Sequence, residues 1–172
     1  MQKPSRIMIF GRPGSGKSTI ALKLHSHTQI PVYHLDQYFY VANWQERPYE
    51  DFLSIQQSLV EKDSWIIDGN CIDSLEMRYA QADMILYFKL PRWLCLARVL
   101  KRFFKKNRKD PLAQGCKETV KFKVLKYMWN FEKRVEEPLE LLKERYPSKP
   151  LVMISCSADI KKIEEHFNVS LR

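Results

Sequence analysis

The sequence predicts an α/β chain built on a parallel sheet, and three observations predict it. Five short apolar runs rich in β-forming residues recur along the chain, each closed by a turn or a polar residue. Between them lie longer stretches whose apolar residues recur at helical spacing. Three of the five glycines fall within six residues, directly after the first run. Strands that alternate with helices need crossover connections, and these place helices on both faces of a parallel sheet.

The elements follow in order. "RIMIF" at 6–10 reads as a buried first strand. A helix is expected from Lys17 to about His27, with Ile20, Ala21 and Leu24 on one face. "IPVYHLD" at 30–36 is the second strand. Residues 37–50 read as irregular and aromatic, with Tyr38, Phe39, Tyr40, Trp44 and Tyr49. Pro48 then marks a helix start, and Phe52, Ile55, Leu59 and Val60 share a face. "SWIID" at 64–68 is the third strand and "ADMILYFKL" at 82–90 the fourth. "PRWLCLARVLKRFFKK" is a basic amphipathic helix from Pro91. A loop with Pro111 and Gly115 is expected at about 107–117. A helical region follows at about 118–145, with Pro138 kinking it or starting a second helix. "PLVMISC" at 150–156 is the fifth strand, and Ser157 is a candidate cap for a terminal helix. With no repeat, linker or low-complexity tract, residues 1–172 are expected to form a single domain.

Composition narrows the function. The chain is 45% apolar and 28% charged, which excludes a disordered chain. Its net charge of +9 points to an anionic partner: a nucleotide, a nucleic acid or an acidic surface. Cys71, Cys95, Cys116 and Cys156 are not in metal or CxxC spacing and are expected as reduced thiols. His25 and His27 do not share a helix face, so they make no metal pair. No apolar run reaches the ~18 residues of a membrane span, and no signal-peptide pattern is present. A cytoplasmic protein without a membrane partner is expected. Oligomeric state has no readable pattern.

The glycine cluster "GRPGSGKST" fits the pattern G-x-x-x-x-G-K-[ST] through Gly11, Gly16, Lys17 and Ser18. Bare backbone at Gly11, Gly14 and Gly16 lets successive N–H groups turn inward on phosphate oxygens. The helix that follows offers its positive end to the same anion. Residues Gly11, Gly14, Ser15, Gly16, Lys17, Ser18 and Thr19 are therefore the candidate nucleotide site. Lys17 is placed to reach the β and γ phosphates, and Ser18 to ligate Mg²⁺. A second carboxylate at a neighbouring strand end would share the metal. Asp68 qualifies, the alternative being a turn or cap carboxylate. Asp83 precedes its strand and is expected at the opposite edge.

Asp36 closes the second strand, on the same edge as the glycine loop. It is a candidate to orient or deprotonate a substrate hydroxyl, or to hold the metal through water; turn chemistry is the other reading. The aromatics after it are open to two readings, a stacking surface or plain core. Residues 92–109 carry eight basic residues: Arg92, Arg98, Lys101, Arg102, Lys105, Lys106, Arg108 and Lys109. Arg98 and Arg102 lie one turn apart and are candidates to clamp phosphoryl oxygens from a lid at about 98–117. A solvated basic face and a nucleic-acid surface remain the alternatives.

Several stretches carry a resemblance. "GRPGSGKST" resembles the phosphate loop of adenylate kinases and related small P-loop kinases. "WIIDGN" resembles their Asp-Gly turn after a strand, and "HLDQYFY" the Asp-x-x-Tyr region of uridine-kinase-like enzymes. Together with "WQERP", "LPRWLCLARVLKR" and "WNF", these resemble more closely a bacterial adenylate-kinase-like group labelled DNA topology modulation proteins. The likeness covers most of residues 5–155. It implies a P-loop NTPase fold with five parallel strands in the order 2-3-1-4-5 and a short lid. It implies ATP and Mg²⁺, with phosphate and metal at Lys17 and Ser18, the Walker B role at Asp68, and lid roles at Arg98 and Arg102. Arg78 matches an arginine the group often carries before its fourth strand. The acceptor itself is expected against Asp36, the 37–49 aromatics and the Asp68-Gly69-Asn70 turn. One departure is Asn70-Cys71 after the Asp-Gly, where adenylate kinases have Phe-Pro-Arg. The arginine that would hold an acceptor phosphate is absent there.

Two functions follow from these expectations. One is a kinase passing the γ-phosphoryl of Mg·ATP to a small acceptor, whether a nucleoside, a nucleotide or another hydroxyl compound. The other is a DNA-associated regulator that uses the ATP site as a switch. For either, a charge of +9 predicts weak, sequence-independent DNA binding.

Overall fold

The computed structural model describes residues 3–41, 45–104, 122–167 and 169. The chain runs β1 (Arg6–Gly11), α1 (Lys17–Thr28), β2 (Val32–His34), α2 (Leu35–Phe39), β3 (Tyr40–Val41), β4 (Gln45–Glu46) and α3 (Tyr49–Val60). It continues β5 (Trp65–Asp68), α4 (Leu75–Gln81), β6 (Met84–Phe88), α5 (Arg92–Phe104), α6 (Phe122–Arg145), β7 (Leu151–Ile154) and α7 (Ile160–Phe167).

Five strands form one parallel sheet in the order β2-β5-β1-β6-β7. With the small β3–β4 hairpin set aside, this is the strand order the sequence led us to expect. Alternation along each strand sorts the core into two halves. Ile7 and Ile9 of β1, Ile66 of β5, and Met84, Leu86 and Phe88 of β6 pack with Leu24, Ile163 and Phe167. Met8, Phe10, Trp65, Ile67, Ile85 and Tyr87 face the other way, onto Phe52, Leu59, Tyr79, Phe131, Val135 and Leu139. Phe10 and Tyr87 stack across β1 and β6, with ring centres 4.7 Å apart. β5 and β6 are buried along their whole length, which explains why β6 reads as an unbroken apolar run and β5 as one closed only by Asp68.

Several boundaries differ from expectation. The second strand stops at His34, because Leu35–Phe39 turns into the short α2. Part of the stretch expected to be irregular is thus helix and hairpin; Trp44 lies outside the described residues. Pro48 stands at the start of α3, as expected, while the buried face includes Gln56 and covers Ile55 only partly. α6 continues through Pro138 as one helix, so no second helix begins there. α7 is preceded by a 3₁₀ turn at Ser157–Asp159, and Asp159 Oδ2 accepts the N–H groups of Ser155 and Cys156. The Ser157 side chain and the expected loop at 107–117, with Cys116, lie outside the description. Cys71, Cys95 and Cys156 are free thiols. No described helix is long and apolar enough to cross a membrane.

The topology fixes where chemistry can occur. The glycine loop follows β1, Asp36 follows β2, Asp68 closes β5, and α5 follows β6. All four lie at the carboxyl edge of the sheet, where open α/β sheets bind their ligands. Asp83 sits at the opposite edge, as expected. Its Oδ2 accepts the N–H groups of Ser5 and Arg6.

Candidate active site

The glycine loop is shaped by contacts on both flanks. Gly16 caps α1 with φ +98°, and an added Cβ there would meet only Arg98 Nη1, at 3.9 Å. Its outer side is open to a ligand. Gly14 is different: with φ +80°, a Cβ would lie 2.5 Å from the Cys95 carbonyl oxygen. That glycine exists so that α5 can press on the loop. Arg98 Nη1 donates to the Ser15 carbonyl at 3.1 Å, from the same helix. The first turn of α1 has neither a side-chain cap nor an acidic residue. Its N–H groups are left for an anion.

Lys17 is buried, and its Nζ lies 3.4 Å from the Arg12 carbonyl oxygen. Ser18 Oγ donates to Asp68 Oδ2 at 2.6 Å. His34 Nδ1 lies 3.0 Å from the same oxygen, as the donor, since a buried carboxylate only accepts. Burial acts to raise the Asp68 pKa, but hydrogen bonds from His34 and Ser18 and the charge of Lys17 outweigh it and hold the group below its ordinary value. Three buried polar atoms here have no hydrogen-bond partner: Asp68 Oδ1, Ser15 Oγ and His34 Nε2. Native structures rarely leave such atoms unmatched. Thr19 is exposed on the first turn of α1.

Asp36 is exposed on α2, two residues beyond His34, which is itself in register with Asp68. Gly69 and Asn70 form the turn after β5. Asn70 Oδ1 accepts the Gly11 N–H at 2.9 Å, tying this turn to the loop. An added Cβ on Gly69 would lie 2.6 Å from Leu35 Cβ, so the turn and α2 are in intimate contact. Arg78 is fully buried and donates from Nη1 to the Gly69 carbonyl and from Nη2 to the Cys71 carbonyl. Its charge therefore supports the turn from beneath. Burial lowers its pKa to about 10, against the raising influence of Cys71, Asp68, Tyr127 and Tyr49. Arg102 is half-buried one turn beyond Arg98; the rest of the expected lid, 105–117, lies outside the described residues.

Three participants were not anticipated. His34 orients Asp68, a role invisible until β2 is known to lie beside β5. Tyr127 of α6 shares its electrostatic surroundings with Asp36, Cys71 and Arg78; burial first, helped by Asp36 and Cys71, carries its pKa up to about 12. Arg12, inside the glycine motif itself, is buried against α5 and α6. A helix fifty residues beyond the Asp-Gly turn gives no sequence signal that it belongs to the site.

No protein-family model matches the chain, and no curated protein sequence does. Solved structures do. A shikimate kinase from Bacteroides thetaiotaomicron superposes with a TM-score of 0.59 at 15% identity, over 96% of this chain and 99% of its own. A sugar kinase from Janibacter sp. HTCC2649 gives 0.52 at 14% identity, over 98% and 97%. A shikimate kinase from Acinetobacter baumannii, in complex with shikimate, gives 0.52 at 13% identity, over 95% and 93%. The chain has a P-loop kinase-like fold. At these identities the likeness is one of fold.

Proposed function

We propose that this chain is a phosphotransferase that moves the γ-phosphoryl group of Mg·ATP to a hydroxyl of a small acceptor. The observation that carries this reading is the pair of unmatched buried oxygens, Ser15 Oγ and Asp68 Oδ1, beside Lys17 at an uncapped helix N-terminus. A phosphate and a hard cation would satisfy them. Ser18 and Asp68 would hold Mg²⁺, which supplies charge neutralisation on the phosphate oxygens when bound. No cluster of three or more His, Cys, Asp or Glu exists among the described residues. That suits Mg²⁺, which takes one or two protein ligands and keeps waters and phosphates for the rest.

The remaining roles follow from position. Gly11, Gly14, Gly16 and Thr19 complete the nucleotide loop. Lys17, with Arg98 and Arg102, takes up the charge that spreads over the transferring group. Asp36 orients the acceptor hydroxyl and receives its proton. The acceptor oxygen bonds to the γ phosphorus as the bond to the β–γ bridging oxygen breaks, and ADP leaves. Gly69, Asn70 and the Arg78-supported turn shape the acceptor side, with Tyr127. The solved neighbours are kinases of shikimate and of a sugar, which supports a hydroxyl compound as acceptor. They lend no support to the DNA-regulator alternative.

The test is ADP release from Mg·ATP across a panel of sugars, hydroxy acids and nucleosides. At least one acceptor is expected to raise the rate well above the water reaction, with Lys17→Ala inactive throughout. Wild-type protein that neither binds Mg·ATP nor shows a Lys17-dependent rate overturns the reading.

A further inference from the structure

Arg12 faces two ways. Its carbonyl oxygen points into the glycine loop, where it accepts the Ser15 N–H at 3.1 Å and lies 3.4 Å from Lys17 Nζ. Its side chain points out of the loop and is 2% exposed. Nε donates to the Met128 carbonyl of α6 at 2.9 Å, and Nη1 to the Leu90 carbonyl just before α5, also at 2.9 Å. Nη2 pairs with Glu132 of α6 at 2.9 Å. Each nitrogen of the fork meets its own acceptor, and the acceptors come from two separate segments. A lysine has no such fork.

Two of these contacts, at Met128 and Glu132, fall on one turn of α6, and Tyr127 adjoins that turn. Tyr127 packs on the same half of the core as Leu35, Tyr38 and Cys71, which flank the acceptor side. We infer that Arg12 is a positioning residue that locks the nucleotide loop to α6, so that the donor loop and the acceptor-side helix hold one spacing. This rests on the phosphotransferase reading. In it, phosphoryl transfer depends on that spacing, because small errors in placement cost large factors in rate. Arg12 is not a phosphate ligand here: its charge is matched by Glu132 and its donors are engaged outside the loop.

Two variants test this. Arg12→Lys keeps the charge and loses the fork. Glu132→Ala removes the counter-ion from a partly exposed position and leaves both backbone bonds, so it folds even where Arg12→Lys does not. The readouts are Mg·ADP affinity by calorimetry, amide exchange at 13–18 and 125–132 with and without Mg·ADP, and melting temperature. Arg12→Lys is expected to weaken Mg·ADP about tenfold, the scale of a lost charged hydrogen bond. It should also abolish ADP-induced protection at 125–132. Glu132→Ala should weaken binding about threefold. In ligand-free protein both variants should speed exchange at 13–18. A residue that merely cements the fold would lower the melting temperature while leaving affinity within about twofold and protection at 125–132 intact, and that result overturns the inference. Should Arg12→Lys not fold, unchanged affinity and unchanged exchange in Glu132→Ala overturn it. Wild-type protein that fails to bind Mg·ADP removes the phosphotransferase reading instead; exchange at 13–18 without nucleotide still decides whether Arg12 holds the loop.

Discussion

In the proposed reaction the donor side and the acceptor side share one edge of the sheet, yet they are built by different means. The donor side is nine consecutive residues whose backbone forms the working surface, and its spacing is fixed by covalent geometry. The acceptor side is assembled from α2, the turn after β5, α4 and α6, segments that meet only after folding. Its components are held by indirect contacts: Arg78 under the Gly69 and Cys71 carbonyls, Leu35 against Gly69, and Arg12 between loop and helix. A surface made of backbone tolerates little substitution and is readable as a motif. One assembled from side chains can vary its chemistry while the scaffold stays the same.

The sharpest way to separate the two sides is Asp36→Asn. It keeps the shape and removes the proton acceptor. The acceptor-dependent rate should fall by about 10²–10⁴ while Mg·ADP affinity is unchanged. An equal fall in acceptor-dependent and water-dependent ADP release would move Asp36 to the donor side. Lys17→Ala is the converse. Loss of a charged hydrogen bond to phosphate should weaken Mg·ADP by about 10–100-fold, measured by calorimetry, with the fold intact by circular dichroism.

Arg78→Met tests the support rather than the surface. It keeps the apolar stem and leaves two buried carbonyl oxygens without donors, at a cost of about 1–3 kcal/mol in denaturant unfolding. The acceptor-dependent rate should fall while nucleotide affinity holds. Equal losses in both would make Arg78 a support of the whole edge. The smallest effect is on pH. The folded-state pKa of Asp68 is lowered, so the unfolded chain binds the proton more readily and stability rises with pH through the carboxylate range. That contribution is present above about pH 4 and is lost as pH falls through the lowered folded value. Melting temperature should therefore drop more steeply on acidification in wild type than in Asp68→Asn. Parallel curves would deny Asp68 its charged, hydrogen-bonded state.

This contrast also explains what the sequence could disclose. The strands were legible because β6 is apolar throughout and β5 as far as its closing Asp68, and the glycine loop because its glycines are forced by φ and by the approach of α5. Asp68 was legible as a strand-end carboxylate; Asp36, read the same way, stands instead in α2, two residues past the end of β2. His34 was not legible, because its meaning depends on which strand lies beside β2. Tyr127 and Glu132 were not, because a helix with a mixed surface does not declare which turn meets the loop. The end of β2 was misplaced for a similar reason: Leu35 reads as strand by composition, but its side chain is claimed by the bare face of Gly69, which draws the chain into α2.

That last contact has a bearing on descent. Leu35 occupies the room a Cβ at Gly69 would need, and Asp36 is its immediate neighbour. Because the atom met first is Leu35 Cβ itself, a smaller side chain at 35 would not make the room, and in any lineage of this chain enlargement at 69 requires α2 to move off the turn. Such a shift would carry Asp36 to a new reach across the edge. In the proposed reaction, a library at 69 would therefore explore acceptor size without touching a single residue of the glycine loop.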